Sequence, residues 1–126
     1  MRKKINILLV DDNKTTNYYN RKIIKTYNKL SNIYEVYNGS EALIFLEKKE
    51  CNLDLILLDI NMPIMDGFEF LQEYSKLPNA LKLGVKIGIL TTSTWVSDKR
   101  KAENNKNLIS GFFEKPLKKE TLEQLL

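Results

Sequence analysis

The 126-residue chain contains no histidine and only one cysteine, Cys51. The missing histidines exclude Ser-His and Cys-His nucleophile pairs. With one cysteine beside them, they also leave no ligand set for a structural zinc. A lone cysteine rules out an internal disulfide framework and suits a reducing compartment. No apolar run is long enough to span a bilayer. Met1-Arg2-Lys3-Lys4 followed by Ile5 to Val10 has the outline of a signal peptide. The run is short, is broken by Asn6 and meets Asp11-Asp12 instead of a small-residue cleavage site. Zinc-finger spacing, a basic zipper and an aromatic-basic RNA-binding pattern are all missing, so the net charge of +4 reads as a solvated lysine-rich surface. These exclusions predict a cytoplasmic protein with no membrane insertion and no direct nucleic-acid partner. Its chemistry falls to carboxylates, hydroxyls, amines and any metal they hold.

The residues that are present alternate between strand and helix patterns. Ile5 to Val10 is almost continuously apolar, as in a strand buried on both faces. From Lys14 to Leu30, Tyr19, Ile23, Tyr27 and Leu30 recur at helical spacing and predict the stripe that packs on the sheet. Ile33 to Tyr37 reads as a shorter strand near an edge. Asn38 is then an N-cap for a helix built on Ala42, Leu43 and Leu46, with Glu41 completing a capping-box pattern. Leu53 to Asp59 is the most apolar stretch and predicts the central strand. Asp66-Gly67 opens a helix whose inner face is Phe68, Leu71 and Tyr74. Lys86 to Thr91 is a fourth strand. The polar segment from Ser97 to Asn105, with Val96 and Ala102 as its anchors, predicts the most weakly held helix. Leu108 to Glu114 gives a fifth strand, and Leu122, Leu125 and Leu126 a short last helix. Five strand-helix units in a chain this long predict one domain over residues 1–126, with a parallel sheet covered by helices on both faces.

In such sheets the site lies outside the carboxyl ends of the strands. Here those ends carry Asp11, Asp12, Asp59, Thr91 and Lys115. Taken singly, each has a plainer reading: an Asp after a strand as a cap or turn residue, Thr91 as a strand-end hydroxyl, Lys115-Pro116 as a surface turn. Four strand ends that supply one pocket are harder to explain that way. Crowded carboxylates repel and are stable around a cation, and oxygen-only donors select a hard one. Few protein ligands with room for water favour Mg2+ over Ca2+. A lysine amine and a hydroxyl suit phosphoryl oxygens. Asp59, alone at the end of the central strand, is the candidate nucleophile for an acyl phosphate.

The motifs Leu9-Val10-Asp11-Asp12, Asn38-Gly39-Ser40-Glu41-Ala42-Leu43, Leu57 through Gly67, Leu90-Thr91-Thr92 and Lys115-Pro116 stand in this order along the chain. Over its whole length the chain resembles the receiver domain of two-component response regulators, of the stand-alone chemotaxis-regulator kind. That resemblance implies a flavodoxin-like (βα)5 three-layer sandwich with strand order 2-1-3-4-5. It further implies that Asp59 accepts a phosphoryl group from a sensor histidine kinase or phosphotransfer protein and signals to a downstream protein partner. Mg2+ would be held by the side chains of Asp12 and Asp59 and the backbone carbonyl of Asn61, with Asp11 close by. Thr91 and Lys115 would contact phosphoryl oxygens, the Lys115-Pro116 bond would be cis, and Thr91 with Phe112 would form the switch. Thr92 departs from the alanine common in such domains, and Phe112 lacks the hydroxyl of the tyrosine often found there. The last helix is expected to be short, with no output domain after it.

Three other readings compete. A phosphohydrolase of haloacid dehalogenase type also uses an aspartyl nucleophile but wants a second acid where Asn61 stands, so slow self-dephosphorylation is expected in place of enzymatic turnover. A flavin-binding module on this fold would want a phosphate cradle where Asp11-Asp12 stands. A transcription factor would need a DNA-binding domain. The leading expectation is a signalling phosphoacceptor, not an enzyme.

Overall fold

A computed structural model describes residues 4–93 and 95–126. Five strands alternate with five helices: β1 Asn6–Val10, α1 Lys14–Tyr27, β2 Asn32–Val36, α2 Gly39–Lys48, β3 Leu55–Leu58, α3 Gly67–Ser75, β4 Lys86–Thr91, α4 Val96–Asn104, β5 Gly111–Glu114 and α5 Lys119–Leu125. One further turn of 3-10 helix, Asn79–Leu81, lies between α3 and β4. All strands pair in parallel, in the order β2-β1-β3-β4-β5. This is the flavodoxin-like arrangement, with β3 at the centre and β2 at an edge.

The two faces of the sheet follow from the period-2 pleat. Leu8, Val10, Ile56, Leu58, Ile87 and Ile89 point to one side and pack with Ala42, Leu46, Phe70, Leu71 and Ala102 from α2, α3 and α4. Ile7, Leu9, Leu55, Leu57 and Leu90 point to the other and meet Ile24 of α1 and Leu122 and Leu125 of α5. Every side chain of β3 is buried, each contributing about 1.5–3 kcal/mol of transfer free energy. Gly88 lets α5 come close, since a Cβ there would lie 2.7 Å from Leu125 Cδ1.

Three local expectations need correction. The stripe on α1 holds only in part: Ile23 and Tyr27 are half-buried against the core, whereas Tyr19 and Leu30 face solvent and the helix stops at Tyr27. Its buried line is Asn17, Asn20 and Ile24, at helical spacing. The upper end of that line lies over the polar strand ends, where an amide finds partners that an apolar side chain would not. On α3, Phe70 is fully buried, whereas the expected Phe68 is half-buried. Val96 does not anchor α4, because it is largely exposed; Ala102 is the buried residue of that helix.

Candidate functional site

Register brings the acids together. Val10 pairs with Leu58 across β1 and β3, so Asp11 and Asp59 each stand one residue beyond a matched pair. Asp59 N–H donates to Val10 O at 2.9 Å, and Asp11 N–H to Val36 O at 3.2 Å, extending the ladder under both carboxylates. Lys115 N–H donates to Thr91 O at 2.8 Å and so ties the end of β5 to that of β4. The Lys115-Pro116 peptide is cis, as the motif implied.

The loop after Asp59 is held from the other side. Asp66 caps α3 by accepting from Glu69 N–H at 2.8 Å, and the Glu69 side chain accepts from Asp66 N–H at 3.0 Å, a complete capping box. Gly67 N–H donates to Ile60 O at 2.8 Å. A Cβ on Gly67 would lie 2.4 Å from Asp59 O, so the helix start rests directly on the backbone that carries Asp59. The capping pattern expected on α2 is also present in a shifted form. Asn38 accepts from Glu41 N–H, and the Glu41 side chain reaches the N–H of Tyr37 instead of that of Asn38.

Asp11, Asp12 and Asp59 present carboxylate oxygens that all lie within 4.8 Å of one another. Asp11 and Asp59 are buried and Asp12 is exposed. Asp11 Oδ1 accepts from Asn13 N–H at 2.9 Å, and its Oδ2 accepts from Lys115 Nζ at 2.6 Å. Asp59 Oδ1 accepts from Ile60 N–H at 2.9 Å, with Lys115 Nζ 3.5 Å from its Oδ2. One ammonium thus faces two of the three carboxylates. Burial first, and then the charge of Asp11, push the Asp59 carboxyl up to about 6, while Lys115 and the Ile60 N–H pull less strongly the other way. That residual repulsion, an oxygen-only donor set and the close spacing of the acids fit a hard divalent cation such as Mg2+.

Thr91 is buried at the end of β4, and its Oγ1 accepts from Ser93 N–H at 3.1 Å. Asn61 is exposed, two residues beyond Asp59. Phe112 is half-buried, opposite Ile89 in the sheet and against the core under α4. A cavity of about 470 Å³ opens beside the acids, between the loops that follow β3 and β4, with Asn61, Thr92 and Trp95 among its walls. It contains none of the three carboxylates. All the residues expected at the strand ends therefore lie at one end of the sheet. The residues missed were Asn17 and Asn20, which are buried on α1 beneath the acids. Their signal is two polar residues three apart in line with Ile24, which a search for apolar periodicity does not register.

A family model described as the response regulator receiver domain matches residues 7–126. The response regulator mcs4 of Schizosaccharomyces pombe is 39% identical over 89 residues, covering 69% of this chain and 16% of that protein. The two-component response regulator ARR22 of Arabidopsis thaliana is 41% identical over 66 residues, covering 52% of this chain and 45% of that protein. The chain thus matches less than half the length of either relative. Among solved structures, a two-component response regulator from Cytophaga hutchinsonii superposes with a TM-score of 0.87 at 27% identity, over 98% of this chain and 95% of that one. The chemotaxis response regulator CheY4 of Vibrio cholerae gives 0.77 at 26% identity, over 98% and 100%. Among the described residues no helix is long and apolar enough to cross a membrane.

Proposed function

This chain belongs to the response regulator receiver family, and from that premise we propose that Asp59 is its phosphoacceptor, charged by the phosphohistidine of a sensor histidine kinase or phosphotransfer protein. The observation that carries the reading is the set of groups around Asp59. It ends the central strand with Lys115 Nζ 3.5 Å from its Oδ2 and the carboxylates of Asp11 and Asp12 within reach. The functional unit is taken as one receiver domain over residues 1–126, placed in the cytoplasm in keeping with its lone free cysteine.

In the transfer step, an Asp59 carboxylate oxygen attacks phosphorus. The bond from phosphorus to the donor imidazole breaks, its electron pair leaves on nitrogen, and an acyl phosphate forms. Lys115 turns its charge from the two aspartates toward the arriving phosphoryl oxygens. Thr91 Oγ1 already accepts from Ser93 N–H, which leaves its hydroxyl proton to donate to a phosphoryl oxygen. Asp12, Asp59 and the Asn61 carbonyl would hold Mg2+, with Asp11 beside them. Bound there, the ion supplies neutralisation of charge on the transferring group.

Output follows from drawing Thr91 toward the phosphoryl group and burying Phe112 further, which alters the surface around α4 that a downstream protein reads. The relatives named above are response regulators, and none is a haloacid dehalogenase-like enzyme. At the position where such a hydrolase needs a second acid, Asn61 has no proton to give. Slow self-dephosphorylation by water is the expected limit of turnover. The test is covalent labelling by acetyl phosphate with Mg2+, followed by intact mass. Asp59→Asn is expected to abolish labelling, and labelling at the native rate in that variant would overturn the assignment.

A further inference from the structure

Beneath the acids lies a cavity of about 10 Å³, with Asp11 and Asp59 above it, Asn17 and Asn20 of α1 at its side, and Leu57 and Leu90 as its floor. That is the room one water molecule takes. Asn17 is fully buried. Its amide orientation is fixed, because the atom facing Asp11 O at 2.9 Å must be the Nδ2 donor. Its Oδ1 is then left buried with no hydrogen-bond partner among the described residues. A buried amide oxygen in that state is costly unless a donor reaches it. α1 could have carried an apolar residue here, since the floor of the cavity is leucine. It carries two asparagines instead.

We infer that this cavity binds one ordered water, which donates to Asn17 Oδ1 and solvates the acids from below, and that Asn17 is a positioning residue of the phosphoacceptor site. The polar residues that line the cavity, Asn17, Asn20, Asp11 and Asp59, can supply the two to four partners such a water requires. Asn17 acts on the site twice. Its Nδ2 fixes the backbone of Asp11, the residue that holds Lys115 at 2.6 Å, and its Oδ1 holds the water. The inward side of Asp59, which faces leucines, is thereby given a mobile dipole that can turn as charge leaves the carboxylate for the phosphoryl group. The outward side needs none, since it meets solvent and Lys115.

The inference rests on Asp59 being the phosphoacceptor, and the test separates the two claims. A high-resolution crystal structure of the native protein should show one water within hydrogen-bond distance of Asn17 Oδ1. A dry cavity in that structure overturns the water. Labelling by acetyl phosphate is then measured across donor concentration for Asn17→Leu, which removes both hydrogen bonds, and for Asn20→Leu, which removes a water ligand and leaves the Asp11 bond. Both are expected to lower the maximal labelling rate, about tenfold for Asn17→Leu and less for Asn20→Leu, with little change in the donor concentration at half-maximal rate. Asn17→Ser, which keeps a small polar group and room for water, should recover part of the loss. If Asn17→Leu or Asn20→Leu folds and labels at the native maximal rate, the positioning role is wrong. If Asp59→Asn labels as well as the native chain, the underlying reading has failed instead.

Discussion

Helices α3 and α4 follow neighbouring strands, and both begin beside the acids, yet the chain holds them by different means. α3 has a complete capping box, a start seated on the Asp59 backbone, and Gly67, Phe70, Leu71 and Tyr74 all buried. α4 begins at Trp95 with no side-chain cap and buries only Ala102. Lys101 lies over the Phe68 ring, 5.6 Å from its centroid, and links α4 to α3. The difference separates two tasks. One helix start rests on the Asp59 backbone, and the other is held loosely, as the proposed switch from Thr91 to α4 requires. Elements that move are drawn from the least stable parts of a fold.

The largest expected effect comes from breaking the tight side. Gly67→Ala would put a Cβ 2.4 Å from Asp59 O, where backbone meets backbone and no side chain can swing away. The expected loss is about 3 kcal/mol in urea unfolding, with acetyl phosphate labelling reduced in whatever remains folded. A native midpoint and native labelling would show that α3 does not fix Asp59.

A smaller effect tests what the tight side has to hold against. The Asp59 carboxyl is raised from 3.8 to about 6 by burial and by Asp11. Because the folded chain binds this proton more tightly than the unfolded one, ionising Asp59 costs stability. The cost is fully present above pH 6 and is gone below about pH 4. Without Mg2+, Asp59→Asn should therefore be more stable than the native chain at pH 7.5. The gain is on the order of 1–2 kcal/mol, discounted for the solvent that still reaches the site. The advantage should shrink as the pH falls through 6 toward 4. A difference in Tm that stays constant over this range would mean that the strand end carries no such load. Mg2+ should stabilise the native chain in proportion to its binding and narrow the gap to the variant.

Much of this division is legible in the sequence, because it rests on local chemistry. The run from Leu55 to Leu58 can only be buried, Asp66-Gly67 with Glu69 is a helix start, and the polar α4 segment has little to bury. The strand ends follow from the same patterns, so Asp11, Asp59, Thr91 and Lys115 could be assigned to one end of the sheet. Strand order came from resemblance, since parallel pairing depends on contacts distant in sequence. The inward face of α1 was misread for a different reason. A hydrophobic pattern assumes that the buried surface is apolar, whereas Asn17 and Asn20 face a polar part of the interior. Val96 fails as an anchor by the same limit, because an apolar residue at a helix start need not point inward.

The smallest effect sharpens the comparison from the loose side. Trp95 occupies the N-cap position of α4 with no side-chain oxygen to accept an orphan N–H, and it is 73% exposed. Trp95→Ser supplies that oxygen and removes little packing. It should stabilise α4 by about 0.5–1 kcal/mol, slowing amide hydrogen exchange in α4 severalfold with little change at α3. Asp66→Ala is the opposite move on the other helix, removing a cap already present, and should cost about 1 kcal/mol and speed exchange in the first turn of α3. If α4 is loose because it lacks a cap, Trp95→Ser also makes it harder to shift, and phosphorylation should change its exchange less than in the native chain. Unchanged α4 exchange in Trp95→Ser would trace the looseness instead to the single buried contact at Ala102, because the capping term would then be too small to matter.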